Sequence, residues 1–287
     1  MIHDQAAGLR EKVDIDRGLK NTKIITVTSG KGGVGKSNFT LNFALALLES
    51  GHRTAIMDAD IGLANIDVLM GIAPKHSLLD VLNNSLTIWD IMEKGPNNLL
   101  FIPGGSDLQS MFDLKRSNLP YLFDQLSLLN GHIDTLLIDT GAGISPESLK
   151  FILSSDEVFL ITTPEPTSIT DAYAMLKIIH TKNNSIKINL IINQVVSERE
   201  GKGTSERFRV AAERFLDYQV NIYGYIPQDD NISKAVKKQE PFYLSYPNSK
   251  ASKSIRLLVD KYTNNKNELD VRGVSTFLEQ VSNWFHR

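Results

Sequence analysis

The sequence predicts an α/β fold: a mostly parallel, twisted sheet flanked by helices on both faces. Three observations carry that expectation. Short β-branched runs alternate with helix-length segments along the chain. Several runs are almost wholly apolar, as strands covered on both faces must be. A glycine-rich loop joins the first run to the first helical segment.

Taken in order, the expected strands are 23–29, 54–58, 99–103, 135–139, 157–163, 187–194 and 221–226. Helix-length segments between them include 37–50, 167–180, 204–218 and 249–262. There is no internal repeat and no long linker, so 21–264 reads as one domain. Residues 1–20 form an N-terminal extension, and 265–287 carry an amphipathic C-terminal helix.

The composition excludes several classes of function. Lys plus Arg is 31 and Asp plus Glu is 33, a net charge of −2, which argues against a protein that coats polyanions generally. The absence of cysteine excludes disulfides, thiolate zinc sites, cysteine nucleophiles and cysteine-bound iron–sulfur clusters. No apolar run approaches the roughly 18 residues of a membrane span, and the N-terminus lacks the apolar core of a signal peptide. A cytoplasmic location is therefore the expectation.

The first strand runs into "GKGGVGKS", which matches G-x-x-x-x-G-K-[ST] with strand before and helix after. Gly30, Lys31, Gly32, Gly33, Val34, Gly35, Lys36, Ser37 and the following Asn38 are the candidate nucleotide-binding residues. Glycines let backbone N–H groups point at phosphate oxygens, and the helix adds its positive end. Lys36 is expected to reach the β- and γ-phosphates, and the Ser37 hydroxyl to ligate Mg²⁺.

The second strand ends in "MDADIGLANIDVLMG", placing Asp58 and Asp60 at the ligand-binding edge of a parallel sheet, where either could instead cap the next turn. The fourth strand closes in "LLIDTGAGIS", so Asp139 is a candidate Mg²⁺ residue. Asn193 in "LIINQV", and Pro227, Gln228 and Asp229 in "YIPQDD", fit either recognition of a base or ordinary turn chemistry. The guanine-type run N-K-x-D is missing, so adenine, and hence ATP or ADP, is the expected nucleotide. Arg207, Arg209 and Arg214 alternate with Glu206 and Glu213, as on a solvated helix face, and Lys237 and Lys238 are read likewise. Nucleic acid is not the expected partner.

Both ends carry a pattern. Val274, Phe277, Leu278, Val281, Trp284 and Phe285 fall on one helical stripe, suited to packing on the sheet or to lying in a membrane interface. At the other end, Asp4 can cap a helix on which Ile2, Ala6, Leu9 and Val13 share a side. Gly8 weakens such a helix by about 1 kcal/mol relative to Ala.

"KGGVGKS" resembles the deviant Walker A loop of the MinD/ParA family of ATPases. The resemblance implies that Lys31 reaches a nucleotide on a partner subunit, so that ATP holds a homodimer. "DADIGLANID" is similar to that family's switch I and "DTGAG" to its switch II. By this likeness Asp60 positions or activates the attacking water, Asp58 helps the Mg²⁺ shell, and Gly141 or Gly143 meets the γ-phosphate. The amphipathic C-terminal helix resembles the membrane-targeting helix of MinD proteins, although this one lacks their lysine-rich polar face. "DQAAGLR" resembles the D-Q-A-x-x-L-R motif of the FlhG (YlxH, FleN) family, MinD-like ATPases that control flagellar number and placement. That likeness implies that Asp4, Gln5, Ala6, Leu9 and Arg10 bind the GTPase FlhF and stimulate it, with Gln5 ordering the attacking water. Contacts with flagellar switch (C-ring) proteins are also implied, and a ParA-like DNA-partitioning or transcription-regulating ATPase is the alternative reading within the family.

Overall fold

The computed structural model describes residues 20–60, 65–83, 85–105, 118–264 and 271–285. Among the described residues, eight strands form one sheet in the order β3-β4-β2-β5-β1-β6-β7-β8. They are β1 (Lys23–Ser29), β2 (Thr54–Ala59), β3 (Glu93–Lys94), β4 (Leu100–Ile102), β5 (Thr135–Thr140), β6 (Glu157–Thr162), β7 (Lys187–Val195) and β8 (Asn221–Pro227). All pairings are parallel except β3 with β4. The expected architecture therefore stands, with β3 as an unforeseen antiparallel edge. Two residues are too short to show a period of two.

Burial explains why the strands read as apolar runs. In β1, Ile25 and Val27 face one core layer and Ile24 faces the other, all fully buried. The first layer holds α1 (Lys36–Glu49), α10 (Phe242–Ser245) and α11 (Lys250–Thr263). Here Phe39 and Phe43 of α1 meet Phe159 of β6 edge-on at 5.6 and 5.3 Å. These rings pin the helix that follows the glycine loop.

The short helices α2 (Ile66–Met70), α3 (Leu78–Leu82) and α4 (Ile88–Ile91) lie between β2 and β3. Capping boxes at Ser77 and Thr87 start the latter two. On the second face lie α5 (Leu119–Ser127), α6 (Pro146–Ser154), α7 (Pro166–Lys182), α8 (Glu198–Leu216) and α12 (Gly273–Phe285). Helix α9 (Asp230–Lys238) follows β8.

Helix α8 begins earlier than its sequence suggested, at Glu198, with the Ser197 side chain accepting from the Glu200 N–H. "EGKG" reads as loop, yet a Cβ at Gly201 would stand 2.9 Å from the Tyr225 ring. That glycine lets helix and strand approach closely.

The C-terminal stripe takes one of its two sequence alternatives, packing on the sheet. Val274, Phe277, Leu278 and Val281 are at most 6% exposed and sit in the second core layer with Leu122, Leu126 and Phe151. Phe277 stacks on Phe151 at 6.2 Å. The backbone N–H of Arg272 donates to Asp156 Oδ1 at 3.0 Å, fixing where the helix starts. In this arrangement the apolar face is core, not a lipid-facing surface, because the groove beneath it is itself apolar. The side chains of Trp284 and Phe285 lie outside the described residues. Among the described residues no helix is long and apolar enough to cross a membrane.

Candidate nucleotide site

The loop between β1 and α1 is shaped by what presses on it. A Cβ on Gly30 would lie 2.3 Å from the backbone carbon of Asp171 in α7, so only glycine fits there. Gly35 has φ of +89° and closes the loop as the residue before α1. Behind it, Asn193 Nδ2 donates to the Val34 carbonyl at 2.7 Å, and Asn193 Oδ1 accepts from the Gln194 N–H at 2.9 Å. The amide proposed for base recognition thus braces the phosphate loop from below.

Three side chains of α1 converge on Asp139 at the end of β5. Lys36 Nζ lies 2.9 Å from Oδ2, the Ser37 hydroxyl donates to the same oxygen at 2.6 Å, and the Thr40 hydroxyl donates to Oδ1 at 2.7 Å. Lys36 is 6% exposed and Asp139 fully buried. The sequence reading missed Thr40. Its signal was helical spacing, since three residues beyond Ser37 is nearly one turn along the same face.

Asp58 is paired with Asp139 across the β2–β5 ladder. Its carboxylate accepts from the N–H groups of Asp60 (3.0 Å), Asn65 (3.2 Å) and Ile66 (3.4 Å). Burial, followed by the negative charge of Asp139, pushes Asp58 up to about 7. In this arrangement it holds the start of α2, as in the capping alternative. Asp60 is half-buried, and burial raises its carboxyl. A Cβ at Gly141 would be 3.0 Å from Asp60 Oδ1, so the two switch-like loops touch here. Gly143 donates its N–H to the Ser29 carbonyl at 2.8 Å.

Lys31 stands apart from this buried cluster. It is 42% exposed, with Nζ 3.2 Å from Glu165 Oε2 and 3.1 Å from Thr167 Oγ1. Both partners come from the start of α7, and neither was foreseen.

Asp229 serves turn chemistry, one of the two alternatives its sequence offers. It accepts from the N–H groups of Asn231 (3.0 Å) and Ala251 (3.2 Å), joining the starts of α9 and α11. Burial alone would push its carboxyl up, but these hydrogen bonds outweigh it and hold it low. Gln228 beside it is exposed and donates its backbone N–H to Val195. Pro227 ends β8. On α8, Arg209 is engaged by Glu206 (2.6 Å) and Glu213 (2.8 Å), as a solvated face would be. Residues 61–64 of the switch-like stretch, and Asp4, Gln5, Ala6, Leu9 and Arg10, lie outside the described residues.

Phosphate would meet backbone N–H groups, the α1 N-terminus and the Lys36 ammonium together. The Ser37 hydroxyl and Asp139 carboxylate form a hard-oxygen pair that suits Mg²⁺. Among the described residues no cluster of three or more His, Cys, Asp or Glu could hold a metal by itself. Phosphate and water would complete a Mg²⁺ shell begun by Ser37 and Asp139, as is usual for this ion.

Comparison with known proteins agrees with this geometry. The model of the CobQ/CobB/MinD/ParA nucleotide binding domain matches residues 25–242. Antiactivator FleN of Pseudomonas aeruginosa is 38% identical over 239 residues, 83% of this chain and 85% of its own. Flagellum site-determining protein YlxH of Helicobacter pylori is 34% identical over 267 residues, 91% of this chain and 90% of its own. Among solved structures, the septum site-determining protein MinD of Pyrococcus horikoshii, complexed with Mg-ADP, superposes with a TM-score of 0.69. It is 27% identical, and the match covers 86% of this chain and all of that one.

Proposed function

The chain belongs to the CobQ/CobB/MinD/ParA nucleotide-binding family, and on that premise we propose that it is an Mg²⁺-dependent ATPase that dimerises on ATP and controls flagellar number or placement. The likeness to FleN and YlxH supports the flagellar role. The observation that carries the dimer is the placement of Lys31. It is exposed at the rim of the loop, outside the Lys36–Asp139 cluster, where it can serve a second subunit.

In this reading Lys36 would leave Asp139 to neutralise the β- and γ-phosphates, while Ser37 and Asp139 would hold Mg²⁺ with Asp58 helping its shell. The ion would neutralise charge developing on the transferred phosphoryl group. Asp60, beside Gly141, orients water at the γ-phosphate. Lys31 of one subunit adds positive charge at the other's phosphates, where negative charge grows during hydrolysis. Turnover is slow, as suits a switch. Asp60→Ala should keep ATP binding, slow hydrolysis and enrich dimers. Sizing that finds only monomer with ATP would remove the switch assignment.

The output is proposed to run through the N-terminal segment, on the strength of "DQAAGLR". Deleting residues 1–20 should leave ATP turnover intact and abolish stimulation of FlhF GTPase activity. Unchanged stimulation would overturn that partner. Membrane association through 271–287 belongs to the same proposal and requires α12 to leave its groove. Liposome flotation should then need ATP and those residues; flotation that survives their deletion assigns α12 to the core alone.

A further inference from the structure

Strand β7 breaks its own pattern where it reaches the phosphate loop. Ile192 pairs with Tyr225 of β8 and Val195 with Pro227, so Asn193 and Gln194 stand opposite the single residue Ile226. This is a bulge, with one residue more on β7 than on its partner. Gln194 has φ of +59°, and among the described residues no other non-glycine residue inside a strand is left-handed. A side chain makes that conformation costly. In a regular strand successive side chains point to opposite faces. Here both reach one loop: Asn193 Nδ2 donates to the Val34 carbonyl at 2.7 Å, and Gln194 Nε2 donates to the Gly33 carbonyl at 3.4 Å. Asn193 Oδ1 accepts the Gln194 N–H at 2.9 Å, which holds the bulge itself.

The two carbonyls belong to consecutive peptide units. In a planar trans peptide the N–H points away from the C=O, so the direction of one fixes that of the other. Holding the Gly33 carbonyl turns the Val34 N–H the opposite way, and holding the Val34 carbonyl does the same for the Gly35 N–H. The crest of the loop needs such a restraint. Gly33 has φ of +79°, and a Cβ built on it would meet nothing within 4 Å. We infer that Asn193 and Gln194 form a paired amide clamp, positioning residues that turn the Val34 and Gly35 N–H groups toward nucleotide phosphate. Successive N–H groups aimed at one point make an anion-binding nest. The clamp rests on the nucleotide reading of the loop, and it assigns part of the phosphate grip to a strand end far outside the motif. Glycine at 194 would take the same backbone without penalty. What glutamine adds there is the amide that holds Gly33.

Gln194→Gly removes the amide and the backbone strain together, which separates a positioning role from a structural one. Asn193 is buried with a short contact and Gln194 exposed with a long one, so Gln194 carries the smaller share. Titration of the full chain with ADP and Mg²⁺ should show Gln194→Gly binding about fivefold more weakly, the scale of one neutral hydrogen bond. Its melting temperature without nucleotide should equal or exceed that of the wild type. Gln194→Glu keeps the length but sets a carboxylate against the Gly33 carbonyl, and should bind more weakly still. In steady-state ATP turnover Gln194→Gly should raise KM about fivefold and leave kcat within about twofold, because the loop grips phosphate alike before and during transfer. ADP affinity equal to the wild type, or a loss matched by a lowered nucleotide-free melting temperature, would overturn the clamp alone. A wild type that binds no ADP would overturn the nucleotide reading beneath it as well.

Discussion

Thr40 shows how the site depends on a residue that no motif names. Its hydroxyl occupies Asp139 Oδ1, so that Oδ2 is the oxygen turned to Ser37 and Lys36. Removing the brace while keeping the shape should loosen the carboxylate without disturbing the core. Thr40→Val is expected to weaken nucleotide binding about tenfold at limiting Mg²⁺, the usual scale for a residue that orients a metal ligand. Thr40→Ser should bind like the wild type. Titration of a fluorescent ATP analogue across Mg²⁺ concentrations measures this, and equal curves for Thr40→Val and wild type would mean that Asp139 needs no brace. Asp58, Asn193 and Asp229 teach the complementary lesson. A carboxylate or amide at a strand end is placed near ligand by topology, yet it also faces unpaired backbone N–H groups of the next turn. In all three residues that local demand is met in the structure, and sequence alone left both roles open.

Elements far from the nucleotide keep its edge of the sheet in register. Glu157, 7% exposed at the start of β6, holds Lys23 of β1 (2.8 Å), Lys187 of β7 (2.7 Å) and Asn189 (2.9 Å). Burial alone would push its carboxyl up, but the two ammoniums outweigh it and hold it below the ordinary value. A depressed pKa means that the folded state binds the proton less tightly than the unfolded state. The stabilisation is thus complete above about pH 4.3 and lost as pH falls through the folded value. Glu157→Gln should destabilise by about 3 kcal/mol at neutral pH, the low end for a broken buried pair because Lys187 can rehydrate. Denaturation at pH 7 and at pH 3 should show that gap closing in acid; a gap constant with pH contradicts the ion-pair account. On the other face, Phe277→Ala should cost about 3 kcal/mol if α12 is core in solution. A loss below about 0.5 kcal/mol would mean that the helix is docked only part of the time. Its stripe was legible in sequence, but its destination was not. An apolar face fits a groove or a membrane equally well, and the groove is assembled from α5 and α6, distant in the chain.

For the whole molecule, parallel topology does most of the functional placement. It carries the ends of β1, β2 and β5 to one edge, so Gly30–Ser37, Asp58–Asp60 and Asp139–Gly143 meet although more than a hundred residues separate the first from the last. Strand-length apolar runs and one glycine loop made that much readable. The short helices between β2 and β3 were not, because their four or five residues show no helical period and two of the three depend on capping boxes. Nor were Glu165 and Thr167, which neighbour Lys31 only after β6 has been laid beside β1. That contact bears on the central claim, that ATP joins two copies through Lys31. Sedimentation velocity of wild type, Asp60→Ala and Lys31→Ala, each with Mg²⁺ and either ATP or ADP, tests it most directly. The account predicts monomers in ADP throughout, ATP dimers for wild type and more so for Asp60→Ala, and monomers for Lys31→Ala in either nucleotide. ATP dimers that form unchanged without the Lys31 ammonium, or wild-type and Asp60→Ala proteins that stay monomeric in saturating ATP, would contradict it.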